Sequence, residues 1–96
     1  MKTMYVYILT NYKNTVLYVG VTGDLVQRIW QHKNKVVKSF SSRYNLGKLV
    51  YYEIYADAET AIKREKTLKL FRRQKKIDII TQFNPLWRDL YDDICK

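Results

Sequence analysis

Glu65 is the one acid in segment 63–76, among Lys63, Arg64, Lys66, Lys69, Arg72, Arg73, Lys75 and Lys76. Helical periodicity puts it on the same face as Ala58, Ala61, Ile62 and Leu68. A charge on an apolar stripe is costly unless it is paired or bound to a metal. Glu65 therefore either bridges to a neighbouring Lys or Arg at the edge of the stripe or acts as a single Mg²⁺ ligand. In the second case waters and a phosphate complete the octahedron. Arg28 and His32, one helical turn apart, pose the same choice. They form either a partly exposed pair or a guanidinium that clamps a phosphate with an imidazole beside it to orient it or move a proton. Tyr7 and Tyr18 are either aromatics of a sheet face or catalytic phenols. A phenol titrates near ~10, so use as a base calls for nearby cations, which Arg28 and a metal would provide.

Other chemistries fall away. The glycines at 20, 23 and 47 lack the spacing of a phosphate-binding loop. Zinc needs more than one His and one Cys far apart in the chain. Cys95 and His32 could be drawn as a nucleophile–base pair, but a thiol next to the C-terminus is poorly positioned. Asp92 and Asp93 are adjacent, so on a helix they diverge and read as a solvated end rather than a two-metal site.

The elements that must position these groups can be read from the pattern. Strand-forming residues fill 4–9 and 16–21, and Asn11-Tyr12-Lys13-Asn14 between them reads as a four-residue hairpin loop. That loop would set Tyr7 directly opposite Tyr18, on one face. Asp24 and Gln27 have capping-box spacing for a helix over 25–33 with Leu25, Val26, Ile29 and Trp30 as its apolar positions. Residues 34–47 are polar, basic and free of acids, and read as a connection. A third strand is expected at 49–55. Asp57 can cap a second helix reaching about Phe71, and a third over 73–82 would bury Ile77, Ile80 and Phe83. Asn84-Pro85 breaks it before a short amphipathic piece with Leu86, Trp87, Leu90, Tyr91 and Ile94. The expected fold is α+β, a small three-stranded antiparallel sheet flanked by helices in the order β-β-α-β-α-α, as a single domain over 1–96.

Composition bounds the partner. The 96 residues carry 18 Lys+Arg against 9 Asp+Glu, a net charge of +9. Hydrophobic residues at 47% and aromatics at 15% are those of a folded chain rather than a disordered one. Such a charge makes nucleic acid the first partner to consider. A single cysteine excludes an internal disulfide and fits a reducing cytoplasm. No apolar run approaches the ~20 residues of a membrane span, and no signal segment is expected. The basic runs contain Lys33, Lys35, Lys38 and Arg43 before the third strand, then Lys63, Lys66, Lys69, Arg72 and Arg73. Either they contact phosphate backbones without reading bases, or they are solvated helix faces.

Tyr5-Val6-Tyr7 followed by Tyr18-Val19-Gly20 resembles the paired signature of the GIY-YIG nuclease superfamily. Arg28 with His32, then Glu65, then Asn84 follow that family's pattern in order. The ending Asn84-Pro85-Leu86-Trp87-Arg88-Asp89-Leu90 is similar to that of small stand-alone bacterial members, which are related to the N-terminal domain of the excinuclease C-subunit. Tyr5-Val6 stand where the family has Gly-Ile, and Val21 stands where some excision-repair relatives carry lysine. The resemblance implies a Mg²⁺-dependent endonuclease, with Mn²⁺ as an alternative ion, acting on duplex or branched DNA in repair or recombination. RNA stays open as a substrate, and a monomer or weak dimer is expected. Tyr18 would be the general base and Tyr7 would position the water. Arg28 would hold the scissile phosphate, Glu65 the metal, and His32 would assist the base. Asn84 would support the site or cap a loop. The alternatives are a nucleic-acid-binding domain of the same fold with little or no catalysis, or a basic module that docks on an acidic protein or RNA.

Overall fold

A computed structural model of the chain describes residues 2–36 and 44–96. The elements are β1 (Met4–Thr10), β2 (Leu17–Thr22), α1 (Leu25–Lys33), β3 (Lys48–Tyr55), α2 (Ala58–Leu70), α3 (Arg73–Phe83) and a short α4 (Tyr91–Ile94). Their order is the expected β-β-α-β-α-α with a terminal helical turn. The sheet is antiparallel in the order β2-β1-β3, so β1 is central. Lys38, Arg43 and the serines at 39, 41 and 42 lie outside the described residues. Among the described residues no helix is long and apolar enough to cross a membrane.

The alternation of β1 divides the core into two faces. Val6 and Ile8 join Val19, Ala61, Leu68 and Ile80 on the side covered by α2 and α3. Tyr7 and Leu9 join Leu25, Ile29, Leu46, Leu49 and Leu90 on the side covered by α1 and the C-terminal segment. Fully burying a side chain such as Leu68 or Ile80 contributes about 1.5–3 kcal/mol. Several positions expected in the core are more exposed than their spacing suggests. Val26, Trp30, Ile62 and Phe83 are all open to solvent, although the Phe83 ring packs edge-on against Tyr51 and Tyr52. A helix on one face of so small a sheet has only a narrow strip to cover, so the flanks of each apolar stripe stay wet.

The hairpin corrects one expectation. Tyr7 pairs with Gly20 and Tyr18 with Leu9, so the connection spans six residues rather than four and Tyr7 is not directly opposite Tyr18. The cause is Asn11, whose Oδ1 accepts from the backbone of Thr15 (2.8 Å) and Val16 (3.2 Å) while its Nδ2 donates to Thr15 Oγ1 (2.7 Å). Asn14 takes the left-handed conformation at φ 58. The shift is two residues, an even number, so both tyrosines stay on the expected face.

Two caps behave as expected. Asp24 Oδ1 accepts from Gln27 N (3.1 Å), and Asp57 Oδ2 from Thr60 N (2.8 Å). At the far edge of the sheet, β3 carries a bulge against β1 between Ile8 and Leu9. Consecutive Val50 and Tyr51 consequently both join the α2/α3 face. The C-terminal segment covers this edge. Leu90 N donates to Leu49 O (2.8 Å), Leu49 N to Asp89 Oδ1 (3.2 Å), and Asn84 Nδ2 to the carbonyl of Val50 (3.2 Å). Asn84 also bonds the backbone of Arg88 through both ends of its carboxamide. Because the carboxamide is buried, Asn84→Ala leaves the Val50 carbonyl and the Arg88 amide without this partner. We expect it to lower the unfolding free energy by about 1–3 kcal/mol in urea titrations.

Candidate active site

Tyr7 projects from the central strand and is 1% exposed. Its ring lies across Gly20, where an added Cβ would come within 2.4 Å of Tyr7 Cζ and Oη. Glycine at this position is thus a steric requirement. Tyr18, diagonal to Tyr7 on the neighbouring strand, places its ring centroid 6.5 Å away. His32, from the last turn of α1, closes the group at 5.9 Å from Tyr7 and 5.7 Å from Tyr18.

The three rings are joined by polar contacts as well as packing. The Tyr7 hydroxyl lies 3.1 Å from His32 Nε2, and the Arg28 guanidinium also reaches it. A guanidinium only donates, so the Tyr7 oxygen accepts from Arg28, while the hydroxyl and His32 Nε2 share one proton between them. Burial, followed by the charges of Tyr18 and Glu65, holds the Tyr7 phenol well above its usual range, although Arg28 pulls the other way. Tyr7 is therefore a protonated donor at neutral pH. Burial first and the Arg28 charge second lower the His32 pKa from its ordinary 6.5, so the imidazole is neutral and available as an acceptor.

Glu65 enters from α2. It falls between buried Ala61 and Leu68 on one helical face, and its side chain is only 14% exposed. The rotation of α2 is set one residue earlier. Arg64 Nε and Nη2 donate to Glu53 of β3, each at 3.0 Å, and the Tyr51 and Tyr55 hydroxyls donate to the same carboxylate. Burial works against the Glu53 charge, but the hydrogen bonds from Arg64, Tyr51 and Tyr55 outweigh it and keep its pKa below the usual range. Glu65 Oε2 pairs with Lys69 Nζ at 2.9 Å, one turn on, so the bridging alternative raised by its spacing is present. Among the described residues no cluster of three or more His, Cys, Asp or Glu side chains could hold a metal. The Glu65 charge acts on Tyr7, and a site with a single carboxylate would suit an ion such as Mg²⁺, which retains most of its waters.

The structure thus gathers Tyr7, Tyr18, Arg28 and His32 at one place and brings the Glu65 charge to bear on Tyr7. Asn84 has its carboxamide engaged on the backbone of Val50 and Arg88, which is the loop-capping side of its expectation. Lys33, read as a phosphate contact, is engaged within the fold. Its ammonium pairs with Asp89, donates to Gly47 O (2.7 Å) and lies over the Tyr91 ring. Lys63 pairs with Glu59 on the open surface, and Arg73 reaches the carbonyl of Asn14. Lys35, Lys66 and Arg72 are exposed. Sequence reasoning missed Asp89, which accepts from Leu49 N and Tyr91 N besides pairing with Lys33. It also missed the Glu53–Arg64 lock. Both link residues far apart in the chain, and no local spacing announces them.

Comparison with known proteins shows the family. Residues 3–78 match the family model of the GIY-YIG catalytic domain. A UPF0213 protein of Staphylococcus saprophyticus is 35% identical over 78 residues, 81% of this chain and 94% of the relative. Another, from Clostridium perfringens, is 35% identical over 77 residues, 80% of this chain and 82% of the relative. The solution NMR structure of a UPF0213 protein from Bacillus halodurans superposes with a TM-score of 0.53 at 26% identity, covering 83% of this chain and 84% of the other. With its tyrosines, glycine, arginine and glutamate in the family's order, the chain belongs to the GIY-YIG nuclease family.

Proposed function

We propose that the protein is a metal-dependent endonuclease that hydrolyses DNA phosphodiester bonds, guided by DNA structure more than by sequence, in repair or recombination. The observation that carries this reading is the Tyr7 hydroxyl held between Arg28 and His32 inside a buried ring cluster. Such a group is preorganised for one protonation state and one orientation, which a merely structural tyrosine does not need.

Arg28, at the exposed rim, takes the nonbridging oxygens of the scissile phosphate bidentately. Tyr18, as its phenolate, would accept the proton of the attacking water, and Tyr7, kept protonated, fixes that water's place. His32 holds the Tyr7 proton and so keeps its hydroxyl aimed. Glu65 would hold the divalent ion, Mg²⁺ or Mn²⁺, which when bound neutralises charge on the leaving oxygen. The exposed Lys35, Lys66 and Arg72 supply backbone contacts, which favour shape over base readout.

The test is cleavage of plasmid, fork and flap DNA, with a matching RNA substrate, in Mg²⁺ and in EDTA. Glu65→Ala and Tyr18→Phe should each lower the rate about 10²–10⁴-fold while leaving salt-sensitive DNA binding in place. Cleavage that survives EDTA or Glu65→Ala would overturn the metal-dependent mechanism. Binding by the wild-type protein with no cleavage under any condition would favour the catalytically silent alternative.

The pH profile follows from His32. Its folded pKa lies below 6.5, so between the unfolded and the folded value the unfolded chain binds the extra proton. Stability is therefore lost as pH falls from about 6.5 through the folded value, whereas activity falls only as pH passes the lower folded value, where Nε2 ceases to accept. His32→Asn should remove this acid limb from a kcat/KM profile. Gly20→Ala tests the geometry separately. Its Cβ must displace the buried Tyr7 ring, so we expect a loss of about 1–3 kcal/mol in thermal unfolding together with loss of cleavage.

A further inference from the structure

A cavity of about 520 Å³ opens beside His32, within the roughly 300–1,000 Å³ typical of small-molecule sites. Asn11, Tyr12 and Lys13 of the β1–β2 connection line it, with Lys35 beyond the end of α1 and Tyr44 ahead of β3. No carboxylate lines it among the described residues. Tyr12 is 70% exposed and Tyr44 42%, so neither ring adds much to the core. Lys13 and Lys35 belong to no ion pair among the described residues. Asn11 stiffens the loop that carries Tyr12 through its bonds to Thr15 and Val16. Two aromatic faces with two cations and no acid are the parts of a stacking platform for a single-stranded nucleotide. A base inside a duplex is already stacked and paired and cannot enter such a cavity.

We propose that this cavity receives the base of an unpaired DNA nucleotide flanking the cleaved bond, stacked on Tyr12 and Tyr44, while Lys13 and Lys35 hold its phosphates. The proposal rests on the nuclease reading, because His32 is shared between the cavity and the candidate active site. It gives that reading a substrate class: DNA with a bulge, gap or single-stranded branch next to the scissile phosphate.

Fluorescence anisotropy in EDTA tests it without any chemistry, using a labelled short duplex and the same duplex carrying a one-nucleotide bulge. The wild-type protein should prefer the bulged DNA. Tyr12→Ala should weaken bulge binding at least about 5-fold and leave paired-duplex binding unchanged, whereas Tyr12→Phe should retain the preference. Tyr44→Ala should act in the same direction. Equal weakening on both DNAs, or no weakening on either, would overturn the proposal. Selective bulge binding without cleavage in Mg²⁺ would remove the nuclease reading and leave the cavity's role standing. Cleavage with no preference for the bulge would do the reverse.

Discussion

The ring of Tyr7 lying across Gly20 is the contact around which the site is built. A tyrosine on the central strand of a three-stranded sheet has nowhere to go but into the core, and its hydroxyl must then find polar partners. The absent side chain at position 20 makes room for the ring, and α1 supplies the partners from Arg28 and His32. The burial that makes Tyr7 a poor acid also makes it a dependable donor. Its neighbours are in turn constrained by it, since the two α1 residues reach one hydroxyl only if the helix crosses the sheet at a fixed rotation. Leu25 and Ile29, buried on the same face, fix that rotation.

The opposite layer is tied to the site by a different device. Ala61 and Leu68 determine which side of α2 faces the sheet, and the Arg64–Glu53 fork prevents rotation about the helix axis. Glu65, next in sequence to Arg64, inherits its position from that fork. β3 matters to both layers. Its bulge turns Val50 and Tyr51 toward α2 and α3, while Leu49 stays with Leu9 and Leu25 on the other face. Asn84 and Asp89 satisfy the backbone groups of this irregular edge, which would otherwise invite pairing with another chain. Asn84 thus supports the site through β3 rather than by touching the tyrosines' partners.

Much of this was legible in the amino-acid order. The strands, the caps at Asp24 and Asp57, and the isolation of Glu65 all follow from local spacing, and local spacing survives folding. What was not legible depends on contacts between distant residues or on side-chain bonding inside a loop. The hairpin register turned on which atoms of Asn11 bond to Thr15 and Val16. The bulge at Val50 disturbs no hydrophobic pattern, because every neighbour is apolar or aromatic. The exposure of Val26, Trp30 and Ile62 reflects the width of the sheet beneath each helix, a quantity no single helix encodes. Bringing Arg28 and His32 together required only their spacing of four, but bringing them to Tyr7 required the tertiary fold.

The positive charge divides by the work it does. Lys33 and Arg64 are paired with Asp89 and Glu53 in partly buried pairs that hold the fold. Lys63 with Glu59 is an exposed helix pair, of a kind worth about 0.3–0.5 kcal/mol and readily screened. Lys69 is a different case. It pairs with Glu65 from a side chain that is 51% exposed, while its partner is largely buried. A carboxylate set into an apolar stripe needs such a partner, and a flexible ammonium one turn away supplies it at small cost in order. Under the proposed mechanism, Lys69 would have to swing away for Glu65 to hold a divalent ion, and half of the Lys69 side chain already lies in solvent. The one acid in the most basic segment is thus partnered by a lysine that can move into solvent.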